Sequence, residues 1–256
     1  MSKRKRFIIT SILLSLGFIG IQFLENQFRF YAIGGLTLLT TALFFWSLRE
    51  GIGKNMTVLT LVLPVFFTAG VGVFWFLLPA SIFARLPIII FYGVGIYVLC
   101  LTSNIYSVAA IRTIALLRAA HGVGFVLTLV TSFLVYDAIL SLRTLLPITV
   151  SSVAVLSFPL YLQGLWVASL EKEYSKDLVY TASVFSLIMG EIALFLHFWP
   201  VTVVVGSLFL TVAMYMLLGL GQAKIEGRLF SQTVREYLLV GALVFLGMFF
   251  ATRWGG

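Results

Sequence analysis

Apolar residues run along this chain in blocks of about twenty, separated by short polar or basic segments. A helix rises about 1.5 Å per residue, so a block of that length spans a hydrocarbon core of roughly 30 Å. Nine such blocks are present: Phe7–Leu24, Phe30–Leu48, Met56–Leu78, Leu86–Ser103, Gly122–Leu140, Leu145–Val167, Leu178–Phe198, Val201–Leu220 and Tyr237–Ala251. The last is short. The pattern predicts an all-α fold, a polytopic transmembrane helical bundle that forms one integral membrane domain over residues 1–256.

Composition agrees. Only 10% of the residues are charged and 61% are apolar, whereas a soluble domain carries about 25% charged residues. So few charges could not cover a water-exposed surface of this size. Lipid removes the need.

The positions of the charges give the orientation. With the N-terminus in the cytoplasm, the inner segments hold Lys3, Arg4, Lys5, Arg6, Arg49, Lys54, Arg112, Arg118, Lys172, Lys176, Lys224, Arg228 and Arg235. The outer segments hold Arg29, Arg85, Arg143 and Arg253, thirteen basic residues against four. Lys and Arg resist translocation, so this alternation predicts nine spans, N-terminus inside and C-terminus outside. The plasma (inner) membrane is the expected location. Trp46, Trp75, Trp166, Trp199 and Trp254 all fall near predicted span ends, as do Tyr31, Tyr136, Tyr180 and Tyr237. Indoles and phenols favour that depth, with the ring in apolar surroundings and the polar atom wet.

The basic start followed by an apolar run resembles a signal peptide, but no A-x-A pattern follows Leu16 or Ile21. An uncleaved first span is expected, with its basic cluster drawn to anionic lipid. Two cytoplasmic connections are longer. Asn104–His121 reads either as an interfacial helix, with Arg112 and Arg118 reaching water, or as a continuation of the fourth span. Gly221–Glu236 reads as a solvated stretch, as does Ser169–Asp177 with Glu171, Lys172 and Glu173. Gly70, Gly72, Gly93, Gly95, Gly122 and Gly124 are expected to let helices pack closely, because lipid supplies no hydrophobic drive for their association. Gly35, Thr40 and Ala42 faintly match Gly206, Thr211 and Ala213, a match that neighbouring spans do not extend.

Ionisable groups at membrane depth are costly and are the candidate functional residues. Glu191 is the deepest, seven residues before Phe198 and so about 10 Å down. Asp137 and His197 lie near the outer ends of spans five and seven. On span seven, Ser183, Ser186, Gly190, Ala193 and His197 form one small or polar stripe, expected to face other helices. Glu191 stands about 100° from it, facing a neighbour or a cavity. With Glu25, Asn26, Arg29, Arg85 and Arg143, these groups crowd the outer side. Glu191, His197, Asp137 and Arg143 are therefore the candidate binding residues, for an anionic headgroup or for proton passage through Glu191 and His197. The competing reading pairs Glu191 with an arginine, or leaves it a neutral acid because burial disfavours the charged form.

Pro64 and Pro159 interrupt spans three and six, and Gln163 follows one turn after Pro159. An inner cavity is one reading and ordinary kinked packing the expected one. Pro147 and Pro200 occupy first turns, where no donor is lost. The single cysteine, Cys100, is expected to be a buried structural thiol. His121 inside and His197 outside make no metal site. No nucleotide-binding loop, H-E-x-x-H or G-x-S-x-G motif occurs, and no cofactor is expected.

The expected partners are the lipid bilayer and a membrane protein partner or a second copy of the chain; nucleic acid is not expected. Three function classes remain: a non-enzymatic membrane component such as an assembly or scaffold subunit, which is the leading reading; a small transporter using Glu191, His197 and Asp137; and a membrane-embedded enzyme for a lipid or lipid-linked substrate. Convergence of the four candidate residues would favour the last two.

Overall fold

The computed structural model describes residues 2–48, 56–76, 82–109, 116–170 and 175–252. Among these are nine α-helices and no strand: α1 (Lys3–Ile21), α2 (Asn26–Leu48), α3 (Met56–Phe76), α4 (Ile82–Ala109), α5 (Leu117–Ser141), α6 (Leu146–Ser169), α7 (Lys176–His197), α8 (Val203–Ile225) and α9 (Ser231–Ala251). Each coincides with one of the apolar blocks. Eight, α2 to α9, are long and apolar enough to cross a membrane. In α1 the residues Lys3, Arg4, Lys5 and Arg6 occupy the first turn, which leaves a shorter apolar stretch from Phe7 to Ile21.

Helices continue beyond the apolar blocks where the backbone has reason to. Of the two readings of Asn104–His121, continuation of the fourth span holds as far as Ala109. The Tyr106 hydroxyl there donates to the Ala120 carbonyl at 2.6 Å and ties α4 to the start of α5. Helix α9 begins at Ser231 rather than Tyr237, so Arg235 and Glu236 are helical, and Gln232 donates to Glu236 one turn on. The expectations for Arg49, Lys54, Leu78, Arg112, Glu171, Lys172, Glu173, Arg253 and Trp254 lie outside the described residues.

The chain divides into two compact units, Met1–Leu127 and Thr128–Gly256, with the division inside α5. In the first unit α1 packs on α2 and α4, and α3 packs on α2 and α4. Its core is aromatic: Phe18 stacks on Tyr92 and meets Trp75 edge-on, and Phe67 stacks on Tyr92 from another side. Polar groups in this core bond to one another, as buried groups in lipid must. The Thr40, Thr68 and Tyr92 hydroxyls form a chain at 3.1 and 3.2 Å. Gly93 and Gly95 permit the close approach: a Cβ on Gly93 would lie 2.6 Å from the Ser15 hydroxyl, and one on Gly95 2.5 Å from the Phe67 ring.

In the second unit α7 packs on α6 and α8, α6 packs on α8, and α9 leans on α8. The small stripe of span seven explains the first contact. Ser186, Gly190 and Ala193 are buried, and a Cβ on Gly190 would come within 3.1 Å of the Ala154 methyl. Pro159 lies inside α6. Close by in sequence, the Tyr136 hydroxyl of α5 bonds to Ser157 at 2.8 Å and reaches the Met214 sulfur of α8 at 3.5 Å. Near the other end of α6, Gln222 donates to the Gly164 carbonyl at 2.9 Å.

Candidate functional site at one end of the second unit

The ends of α5, α7 and α9 and the starts of α6 and α8 surround a cleft of about 480 Å³. Helix starts carry the positive end of the helix dipole, which favours an anion beside them; here the Ile148 and Thr149 N–H groups already bond the Leu145 carbonyl, and those of Val205 and Gly206 bond Thr202. Thr202 caps α8, its hydroxyl oxygen accepting from the Val205 N–H at 3.4 Å. Thr149, in the first turn of α6, shares a hydrogen bond with Thr144 at 3.0 Å. Arg143 and His197 both line the cleft and both are exposed. Trp199 lines it too, and its indole N–H donates to the Thr252 hydroxyl at 2.6 Å.

Arg143 holds its place at a conformational cost. Its φ is +45°, in the left-handed region that side chains with a Cβ disfavour. The tight turn from α5 into α6 requires it: the Arg143 N–H returns to the Leu140 carbonyl at 3.3 Å.

Asp137 lies one turn before Leu140, which lines the cleft. It is buried, 3% exposed, and its Oδ1 accepts from the Ser207 hydroxyl at 3.3 Å. Ser207 follows Gly206, whose missing side chain makes room for Leu140: a Cβ there would stand 3.2 Å from the Leu140 methyl. The structure therefore gathers Asp137, Arg143 and His197 around one end of the unit, two at the cleft and one just beyond its lining.

Glu191 is not among them. It lies on the exposed face of α7, away from the α6 contact. Among the described residues its carboxylate has no hydrogen-bond or ion-pair partner, so the arginine pairing expected from the sequence is not formed there.

Glu25, Arg29 and Arg85 have structural partners in the first unit. Arg29 donates to the Leu24 and Gln22 carbonyls at 2.9 and 3.2 Å, closing the C-terminal end of α1. Arg85 lies over the Trp75 ring, 5.3 Å from its centroid. Gln27 donates to Glu25 at 3.0 Å. Cys100 is buried. Near Pro159, the Tyr161 hydroxyl and the Gln163 carbonyl oxygen are buried with no hydrogen-bond partner among the described residues. Among the described residues no three His, Cys, Asp or Glu side chains stand close enough to hold a metal ion.

Sequence reasoning passed over Ser207, Thr149 and Thr202. The signal for Ser207 was available in principle, since a buried acid in a span needs a donor and Ser207 adjoins the small residue Gly206. Thr149 and Thr202 look like any hydroxyl at a helix start until the turns bring both to one cleft.

No curated protein and no solved structure matches the chain. A family model does match, over residues 9–251 and so nearly the whole length. The chain belongs to that family, described as a protein of unknown function (DUF5656).

Proposed function

We propose that this protein is a non-enzymatic, multi-pass membrane component that works by assembling laterally with other transmembrane segments. The exposed carboxylate of Glu191 carries the reading. An acid at membrane depth facing lipid costs about 2.5–3.5 kcal/mol on insertion scales, and such groups ordinarily face a bundle interior. Snorkelling is a poor escape, because Cα–Cβ bonds tilt toward the helix N-terminus. Glu191 lies near the C-terminal end of α7, so that tilt points its side chain into the bilayer rather than toward the nearer surface. A donor from another segment is the remaining remedy.

The arrangement proposed is nine spans with the N-terminus cytoplasmic and the C-terminus outside, in the plasma membrane. The charge alternation and the nine helices support it. A reporter active only outside the cytoplasm, fused after Gly256, is expected to be active; an inactive fusion of an inserted chain would count against it. Lateral assembly is tested by the mass of the native protein in mild detergent. A particle larger than the single 28.4 kDa chain is expected, and a single-chain mass in native membranes and detergent alike would refute the reading.

A second reading concerns the cleft. Two helix starts, Arg143 and His197 together suit a phosphate-bearing lipid headgroup. Native mass spectrometry of the purified protein is expected to show retained anionic phospholipid that is lost in Arg143→Gln/His197→Gln. Equal retention by both proteins would remove this reading.

A further inference from the structure

Two phenols in the core of the second unit differ in how their hydroxyls are satisfied. Tyr136 on α5 and Tyr161 on α6 are both fully buried. The hydrogens around Tyr136 can be assigned. Ser157 gives its only hydrogen to the Val153 carbonyl at 2.6 Å, so in the 2.8 Å bond between Ser157 and Tyr136 the phenol donates. That hydrogen is shared with the Met214 sulfur at 3.5 Å. Among the described residues no further hydrogen bond reaches the Tyr136 oxygen, so it keeps the capacity to accept one. Tyr161 has the opposite need: its hydroxyl is a donor with no partner among the described residues.

The fold of α6 turns this donor toward that acceptor. Tyr161 follows Ser157 by one turn, about 40° round the helix, so both project from one face. Cα–Cβ bonds tilt toward the helix N-terminus, which leans the Tyr161 ring back over the turn that holds Ser157 and so toward Tyr136. Phe185 of α7 braces that ring edge-on, with centroids 5.4 Å apart. The two phenols stand within electrostatic range of each other but form no direct bond.

We infer that one water molecule bridges Tyr161 to Tyr136, accepting from the Tyr161 hydroxyl and donating to the Tyr136 oxygen. Its second hydrogen meets the Met214 sulfur, a weak acceptor that is also fully buried. Buried waters make about three hydrogen bonds, and this site supplies them. The occupant must accept and donate at once, which water does and a simple ion does not. The lining groups are neutral as well, so a desolvated ion would find no counter-charge; Asp137, next to Tyr136 in sequence, is bonded to Ser207. The product is a hydrogen-bonded run from Tyr161 through water, Tyr136 and Ser157 to the Val153 carbonyl, which fastens α5 to α6. Immobilising the water offsets much of what its bonds contribute, so Tyr161→Phe leaves stability near that of the natural chain. The site is internal to one chain and independent of lateral assembly.

The test is hydroxyl-radical footprinting of the full chain in native membranes, with radicals made from water by a short X-ray pulse and oxidation read by mass spectrometry. A radical formed from a bound internal water oxidises the side chains that touch it, without entry from bulk. Tyr161 and Tyr136 are expected to oxidise several-fold faster than Tyr92, an equally buried phenol whose hydroxyl is bonded to Thr68. This comparison needs no variant. In Tyr161→Phe the water loses its donor, and Tyr136 is expected to fall to the rate of Tyr92, which itself stays unchanged. Oxidation of Tyr161 and Tyr136 no faster than that of Tyr92 overturns the inference. An undiminished Tyr136 rate in Tyr161→Phe overturns it too, because a water held without Tyr161 is not a bridge.

Discussion

Removing the Ser207 hydroxyl tests whether Asp137 is held by its neighbour or kept for another purpose. Ser207 has one hydroxyl hydrogen and three acceptors within reach: the Val203 and Val204 carbonyls, each at 3.0 Å, and Asp137 Oδ1 at 3.3 Å. The proton is divided among them, and the bond to Asp137 is the longest. Hydrogen bonds between membrane helices, measured by double-mutant cycles, average about 0.6 kcal/mol and reach about 1.7. The competition places this one toward the lower end, and the burial of Asp137 raises the cost of losing it. Ser207→Ala is therefore expected to destabilise the second unit by about 1 kcal/mol. In a cycle with Asp137→Leu the coupling is expected at about 0.6 kcal/mol or more. The assay is equilibrium unfolding in detergent, read by tryptophan fluorescence, since Trp166 and Trp199 belong to this unit. Additivity within about 0.3 kcal/mol would refute the pairing. Asp137 would then be an acid near the cleft that Ser207 does not hold.

Other substitutions probe separate features. Arg143→Gly should stabilise the protein by about 1 kcal/mol by relieving the left-handed backbone; because Leu170 has φ +49° at the end of α6, Leu170→Gly should do the same, and a gain at Leu170 alone would mean the arginine makes compensating contacts. Tyr136→Phe should cost about 1 kcal/mol through loss of its Ser157 bond, whereas Tyr161→Phe removes a buried hydroxyl with no hydrogen-bond partner among the described residues and should be neutral or stabilising; thermal unfolding that ranks the two variants the other way would contradict the assignment. Gly93→Leu should reduce the folded yield sharply, because overpacking costs about 1–3 kcal/mol even before the Ser11 bond to the Gly93 carbonyl at 2.6 Å is disturbed. Normal monodisperse yield of that variant in size-exclusion chromatography would contradict the α1–α4 contact.

The helices were legible because apolarity over twenty residues has one explanation in a chain this poor in charge. Their ends were less so, since apolarity marks where lipid stops and not where hydrogen bonding stops: α4 runs on through Asn104 and Tyr106, and α9 starts six positions before its apolar block, at Ser231. Asp137, Arg143 and His197 stood out as ionisable groups, but only the turns show that two of them share a cleft. Glu191 shows a different limit. Of the stripe expected to face other helices, Ser186, Gly190 and Ala193 are buried, while Ser183 is half-buried and His197 exposed; the next position on the spiral lies about 100° from Gly190. An angle from the packed stripe does not tell which flank α8 covers and which is left bare. That depends on α7 packing against both α6 and α8, a tertiary fact with no local trace.

Helix α9 is the least covered of the apolar helices. It is held by a few rings, Tyr237 on Tyr215 and Phe245 on Phe209 and Trp199, and by the bond from Trp199 to Thr252. In water a helix so lightly held would unravel when it let go. In a bilayer it keeps every backbone hydrogen bond whether docked or not, since lipid offers no competing donor or acceptor. Release and secondary structure are thereby uncoupled: α9 can part from α8 as an intact rod drifting in the plane, reversibly and at small cost. Hydrogen exchange would then report a protected segment even while a spin label on α9 reported one that wanders.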